Sequence, residues 1–195
     1  GKFENQFNGD DFGEIEQKMV RGTVVWTPTD ATELILRYEY NDITGDGPAA
    51  QTHTNGLGVP GAFANFDRDS TDFSIDEAGS QDTETNFFTA ELNWDIAFGD
   101  GTITNIFGYR DSTGETVSDI DAQPVWLFHA PAWLDATQYS NELRYNGVFA
   151  DRANVTVGGL YFKNELKYHE RRNMLGIATG GVAPAASFDG GGEYD

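Results

Sequence analysis

The stretch Asn86-Phe87-Phe88-Thr89-Ala90-Glu91-Leu92-Asn93-Trp94-Asp95-Ile96-Ala97-Phe98 decides how this chain folds. Side chains alternate between the two faces of a β-strand. One face here carries Phe88, Ala90, Leu92, Trp94, Ile96 and Phe98. Phe87 (out of pattern), Thr89, Glu91, Asn93, Asp95 and Ala97 alternate with them, and Asn86 opens the stretch. The segment is about twice the usual strand length of five or six residues. Tilted, it is long enough to cross a bilayer.

Five further segments read the same way: 16–27, 31–41, 102–112, 137–149 and 153–169. In 31–41, Thr32, Leu34, Leu36, Tyr38 and Tyr40 oppose Ala31, Glu33, Ile35, Arg37, Glu39 and Asn41. In 137–149, Tyr139, Asn141, Leu143, Tyr145, Gly147 and Phe149 oppose Gln138, Ser140, Glu142, Arg144, Asn146 and Val148. Val20, Gly22, Val24 and Trp26 share a face, as do Val155, Val157, Gly159 and Tyr161. Ile103, Phe107 and Tyr109 mark the apolar positions of 102–112, where the facing is less distinct. Aromatic residues lie near the ends of these apolar faces.

The connections alternate between tiny and long. The short ones are Thr27-Pro28-Thr29-Asp30, Gly99-Asp100-Gly101 and Ala150-Asp151-Arg152; the long ones are 42–85, 113–136 and a third beginning near 171. A soluble sandwich has no reason to place every long loop at one end. An outer-membrane barrel has short periplasmic turns and long extracellular loops. The expected fold is therefore all-β: an antiparallel transmembrane β-barrel segment of about six strands, occupying 1–195 as one partial barrel domain. Alternation alone does not name the apolar solvent, because a half-buried soluble sheet alternates too.

Composition is compatible with this. The mean hydropathy of -0.49 does not argue for solubility, since barrel strands are only half apolar. No apolar run approaches the 18 or so residues of a transmembrane helix. With no cysteine, there is neither a disulfide framework nor a thiolate metal site. Gly1 opens a polar, acidic stretch, and Asp195 follows Gly190-Gly191-Gly192. Both ends are expected to fall in loops, which makes the chain an internal piece of a longer protein. The net charge is -20, and the expected loops hold 21 of the 32 acidic residues and 4 of the 12 basic ones. Such a surface repels nucleic acid. It attracts divalent cations or a cationic ligand, or it simply keeps the loops solvated.

Several blocks resemble the barrel hairpins of TonB-dependent outer-membrane receptors. One is Val24-Val25-Trp26-Thr27-Pro28-Thr29-Asp30 followed by Leu34-Ile35-Leu36-Arg37-Tyr38-Glu39-Tyr40. Another is Gly101-Thr102-Ile103-Thr104-Asn105-Ile106-Phe107-Gly108-Tyr109-Arg110. The best match is Gln138-Tyr139-Ser140-Asn141-Glu142-Leu143-Arg144-Tyr145, shortly before Val157-Gly158-Gly159-Leu160-Tyr161-Phe162. The resemblance covers roughly 16–170. It implies a 22-stranded barrel in the outer membrane of a Gram-negative bacterium, filled by an N-terminal plug. It also implies partners: outer-membrane lipid, a TonB complex acting through the plug, and a scarce nutrient. That nutrient would be a ferric siderophore, haem, cobalamin or an oligosaccharide. The plug, the TonB-contacting segment and a closing C-terminal strand are not among these residues. The resemblance implies transport without covalent chemistry.

Candidate ligand-binding residues fall in two groups. Trp126, Phe128 and Trp133 cluster in an expected loop and suit stacking on a sugar or gripping an apolar ligand; equally they suit packing that loop against its neighbours. Arg37, Glu142 and Arg144 lie on the polar, lumen-suited faces of their strands. Asp67, Asp69 and Asp72 space three carboxylates within one loop, as calcium would need, but without the EF-hand order. Asp119 and Asp121 form a similar, weaker pair. His53 and His129 sit in different long loops that can meet to take haem or a metal, or remain solvated. No GxSxG, HExxH or P-loop pattern occurs, and 176–192 reads as a mobile glycine-rich loop. Two other classes stay open: a secreted acidic β-protein binding calcium or carbohydrate through its loops, and a barrel-embedded hydrolase.

Overall fold

The computed structural model describes residues 3–53 and 61–195. Gly1, Lys2 and the stretch 54–60 of the first long connection lie outside the described residues. Strands β1 (Phe3–Asn5) and β2 (Asp10–Phe12) form a small hairpin. The remaining strands are β3 (Ile15–Thr29), β4 (Thr32–Gly45), β5 (Ser80–Ile96), β6 (Gly101–Asp119), β7 (Phe128–Phe149), β8 (Ala153–Met174) and β9 (Ala186–Tyr194). These seven form one sheet in chain order, each antiparallel to the next. Among the described residues the sheet is open, with β3 and β9 as its edges. One 3-10 turn follows β8, and among the described residues no helix is long and apolar enough to cross a membrane.

All six expected strands are present, and three expectations need correction. First, the sheet has seven strands. Gly190, Gly191 and Gly192 pair with Glu170, His169 and Tyr168 in β9 rather than lying in a mobile loop. A β-carbon on Gly191 would sit 2.4 Å from the Tyr168 carbonyl oxygen, so the close approach needs glycine. Second, the loop expected at 113–136 shrinks to 120–127, because β6 and β7 run on past the alternating region. Backbone pairing needs no apolar side chain, so hydrophobic periodicity underestimates strand length here. Third, the expected N-terminal loop contains the β1–β2 hairpin.

The alternation of connection lengths is real. Asp30-Ala31, residues 97–100 and residues 150–152 close one end of the sheet; 46–79, 120–127 and 175–185 lie at the other. Pro28 falls where the register shifts between Trp26 and Thr29, a bulge that tolerates a residue without an N–H. Ala150 and Asp151 both have φ of 52°, and Arg152 N–H donates to Phe149 O at 3.2 Å. Two positive φ values in a tight hairpin match the right-handed twist of the strands they join.

Register fixes the faces, since residues paired across strands share one. The row Thr32, Trp94, Ile103, Tyr145, Val157 is followed by Leu34, Leu92, Asn105, Leu143, Gly159. Next come Leu36, Ala90, Phe107, Asn141, Tyr161 and then Tyr38, Phe88, Tyr109, Tyr139, Lys163. On β3 the same face shows Trp26, Val24, Gly22 and Val20. The result is an apolar belt bordered by Trp26, Trp94 and Tyr145 on one side and by Tyr38, Tyr109 and Tyr139 on the other. The reverse face is polar and paired: Arg37 with Glu91 at 3.4 Å, Arg144 with Glu142 at 3.3 Å, and Thr104 with Asn93 at 2.8 Å.

Among the described residues no core covers the belt. Leu143 is 54% exposed, Trp94 49% and Val24 60%, whereas Thr104 on the polar face is only 6% exposed. The buried apolar cluster is elsewhere: Phe12, Phe73 and Ile75 join the β1–β2 hairpin to the long β4–β5 connection, with the Phe12 and Phe73 rings edge-on at 5.1 Å. Asn5 reinforces that joint, donating from Nδ2 to Ile75 O at 2.8 Å and accepting from Ile75 N–H at 3.1 Å.

The β4–β5 connection re-enters the sheet through two glycines. Gly79 has φ of +68°, and a β-carbon there would lie 2.1 Å from the Val117 carbonyl oxygen. Gly47 N–H donates to Ala78 O beside it. Gly79→Ala is therefore expected to destabilise this joint by roughly 1 kcal/mol or more. Limited proteolysis of the connection should accelerate in the variant; an unchanged cleavage rate would contradict the packing described.

Candidate functional site

The long-loop end of β6 and β7 gathers the buried charge of the molecule. Asp119 ends β6 and pairs with His129 near the start of β7. Asp76, from the β4–β5 connection, reaches the same place: its Oδ1 is 3.1 Å from His129 Nε2. Asp119 is 2% exposed and His129 8%. One donor atom from each of Asp76, Asp119 and His129 lies within 4.8 Å of the others. Asp119 is ten residues beyond Tyr109 on the same strand, so roughly 33 Å of extended chain separates the cluster from the edge of the apolar belt.

Local sequence explains how each group is held. Ala122 adopts a left-handed φ of 56°, which turns its N–H back to Asp119 Oδ1 at 2.8 Å. Asp121 Oδ2 accepts from the N–H groups of Leu127 at 3.2 Å and Phe128 at 2.5 Å, closing the loop on itself. Gln123 is buried and clamps Phe63, accepting from its N–H at 2.8 Å and donating to its O at 3.0 Å. Gln123 O also accepts from Asp76 N–H at 3.1 Å. Trp126 stacks flat on His129, with centroids 4.8 Å apart and 5° between planes. Its Nε1 donates to Asn173 O at 3.2 Å, and Gly176 leaves room for its ring.

The electrostatics are unfavourable for the carboxylates. Burial, then the neighbouring Asp121 charge, pushes the Asp119 carboxyl up to about 7. Burial likewise raises Asp121, opposed by its backbone hydrogen bonds. For His129, burial favours the neutral ring, but the Asp76 hydrogen bond and charge outweigh it and the pKa rises. Asp119 Oδ2 and Asp121 Oδ1 are buried and accept no hydrogen bond among the described residues. Unpartnered buried carboxylate oxygens are costly, and a bound cation is one way to satisfy them.

The expected site residues are not all brought together. Arg37, Glu142 and Arg144 do share the polar face. Trp133 does not join them: it lies on the face of the apolar belt, beyond the belt itself. There it stacks on His169 at 5.2 Å and lines a groove of about 430 Å³ with Lys167 and Asp189. Trp126 packs its loop, and Phe128 begins β7 with its N–H held by Asp121. Thus the aromatic trio expected in one loop is split between a loop and a strand. Asp67 is used locally, with Oδ1 accepting from Asp69 N–H at 3.0 Å; Asp72 N–H donates to Ser70 Oγ at 3.1 Å. Among the described residues, Asp67, Asp69 and Asp72 do not converge into a donor group. His53 bonds Asn65 O at 2.6 Å instead of joining His129. Asp76 was not visible as a candidate, since only the return of the long connection brings it to the hairpin. Asp119, Asp121 and His129, close in sequence, did carry a local signal.

Trp126→Ala removes both the His129 stack and the Asn173 bond. A loss of about 2 kcal/mol is expected for this half-buried ring, below the 3–5 of a fully buried one. Hydrogen exchange of residues 120–127 in the full-length protein should rise on the order of tenfold; no change would mean that the ring does not hold the loop. Comparisons with protein-family models, curated proteins and solved structures find no match to this chain.

Proposed function

We propose that this chain is a section of the transmembrane β-barrel of an outer-membrane receptor of the TonB-dependent type. The barrel imports a scarce nutrient such as a ferric siderophore, haem, cobalamin or an oligosaccharide, and carries out no covalent chemistry. The observation that supports this reading best is the apolar belt with nothing packed on it. Fully burying one large apolar side chain is worth about 1.5–3 kcal/mol. Leaving roughly ten half in water forgoes on the order of 10 kcal/mol, comparable to the whole net stability of a domain. An apolar solvent removes that deficit. Lipid fits the pattern because the belt is framed by aromatic rows and every long connection lies at one end.

The opposite face then lines the barrel interior. Its ion pairs are spaced along neighbouring strands, and Arg37, Glu142 and Arg144 face the space through which a polar ligand would pass. Each half-exposed pair contributes no more than about 1 kcal/mol to stability, so the charges suit a wet surface more than a structural core. Outward strand extensions and the acidic connections form the ligand-facing rim. Energy coupling would come from the TonB complex through a plug.

Leu143 and Ser140 provide a test on one strand. Leu143→Arg puts a charge in the middle of the belt and should weaken membrane assembly by about 2–4 kcal/mol. Ser140→Arg, on the polar face, should leave it nearly unaffected. The readout is the fraction of full-length protein that is heat-modifiable on gels and resistant to extraction from outer membranes without detergent. Equal tolerance of both substitutions, with protein soluble in buffer alone, would reject the barrel and favour a secreted acidic β-protein.

A further inference from the structure

We infer that Asp76, Asp119 and His129 form a binding site for a divalent first-row transition ion of the zinc class, with Asp121 a further carboxylate acting on Asp119. This does not depend on the transport reading. Three donors from three segments converge: the β4–β5 connection, the end of β6 and the start of β7, all within 4.8 Å. The second observation is independent of that convergence. Asp119 is 98% removed from solvent by its 2% exposure, yet its Oδ2 has no hydrogen-bond partner. A native fold rarely leaves a buried carboxylate oxygen unpaired.

The donor set selects the ion. One imidazole nitrogen with carboxylate oxygens suits zinc and its neighbours. Calcium prefers six to eight oxygens and no imidazole. Two carboxylates and a neutral histidine balance a doubly charged ion. The present Asp76–His129 contact at 3.1 Å is close to the ligand–ligand separation that tetrahedral geometry sets at zinc bond lengths of about 2.0–2.2 Å. The side chains of His129 and Asp76 are 10% and 17% exposed, which gives an ion a route in from the Asp76 side. Trp126, stacked on the His129 ring, fixes the ring plane, as supporting groups around metal-bound histidines do. Bound metal would pin the β4–β5 connection to the β6–β7 hairpin.

The test is Zn²⁺ titration of the full-length protein after chelator treatment, followed by competition with a chromophoric chelator. Wild type should bind one more equivalent, at micromolar affinity or tighter, than Asp119→Asn or His129→Gln. Each variant should lose affinity at that site on the order of a hundredfold or more, as removal of a direct ligand exceeds the 10–100-fold effect of outer-shell changes. Asp67→Asn should match wild type, and Ca²⁺ should not compete. Equal stoichiometry and affinity in wild type and Asp119→Asn would overturn the site, as would displacement by Ca²⁺. Hydrogen exchange of wild type covers the case in which a variant misfolds. Zn²⁺ should slow exchange in 119–129 and leave the 150–152 turn unchanged; no protection in 119–129 would equally overturn it.

Discussion

The uncovered apolar face of the seven-stranded sheet is the constraint on which the rest of the structure depends. Strand register sets it. Most pairs on one face over β3 to β8 are apolar with apolar, Asn105 and Asn141 being exceptions, so a slip of one residue would bring charges such as Glu91 or Arg144 into the belt. A face this extensive specifies register strongly because a slip inverts every side chain at once. The sheet therefore has a well-defined arrangement even though it contains no hydrophobic core of its own. In the proposed setting, lipid takes the place of that core.

A second, smaller structure stands on the outer ends of the strands. Its buried apolar cluster among the described residues, Phe12, Phe73 and Ile75, is too small to organise a loop of this length unaided. Polar contacts do much of the remaining work. Asn5, Gln123, Asp119 and Asp121 each hold backbone groups of neighbouring segments, satisfying donors that would otherwise be buried unpaired. The same arrangement crowds Asp119, Asp121 and Asp76 around His129. The part of the connections held by these polar contacts is thus also where buried carboxylate oxygens lack hydrogen-bond partners, and that is the reason a cation is inferred there.

Much of the fold was legible in the residues. The alternation in 86–98, 31–41 and 137–149 gave the strands and their faces, and the short links at 27–30, 99–101 and 150–152 were legible, although β3 runs on to Thr29 and leaves only Asp30-Ala31 to turn. Two of the three corrections share one reason. The ends of β6 and β7 beyond the belt, and the glycine-rich β9, lack its apolar alternation, because they are held by backbone pairing and by polar or stacking contacts such as Arg171–Asp189 and Trp133–His169. Periodicity reports contact with an apolar medium; it is silent about a ladder standing in water.

The sequence by itself determined six of the strands, their two faces, the placement of long connections at one end and the acidic character of those connections. These depend on residues near one another in the chain, where side-chain alternation and turn preference act. Tertiary structure alone decided that Trp133 lies on the face opposite Arg37, Glu142 and Arg144, and that Trp126 packs on His129. It alone brought Asp76 across more than forty residues of chain to Asp119 and His129. Which distant loop closes on which hairpin is set by the packing of the whole connection, including the Gly79 passage and the Phe73 cluster, and no local pattern encodes that meeting.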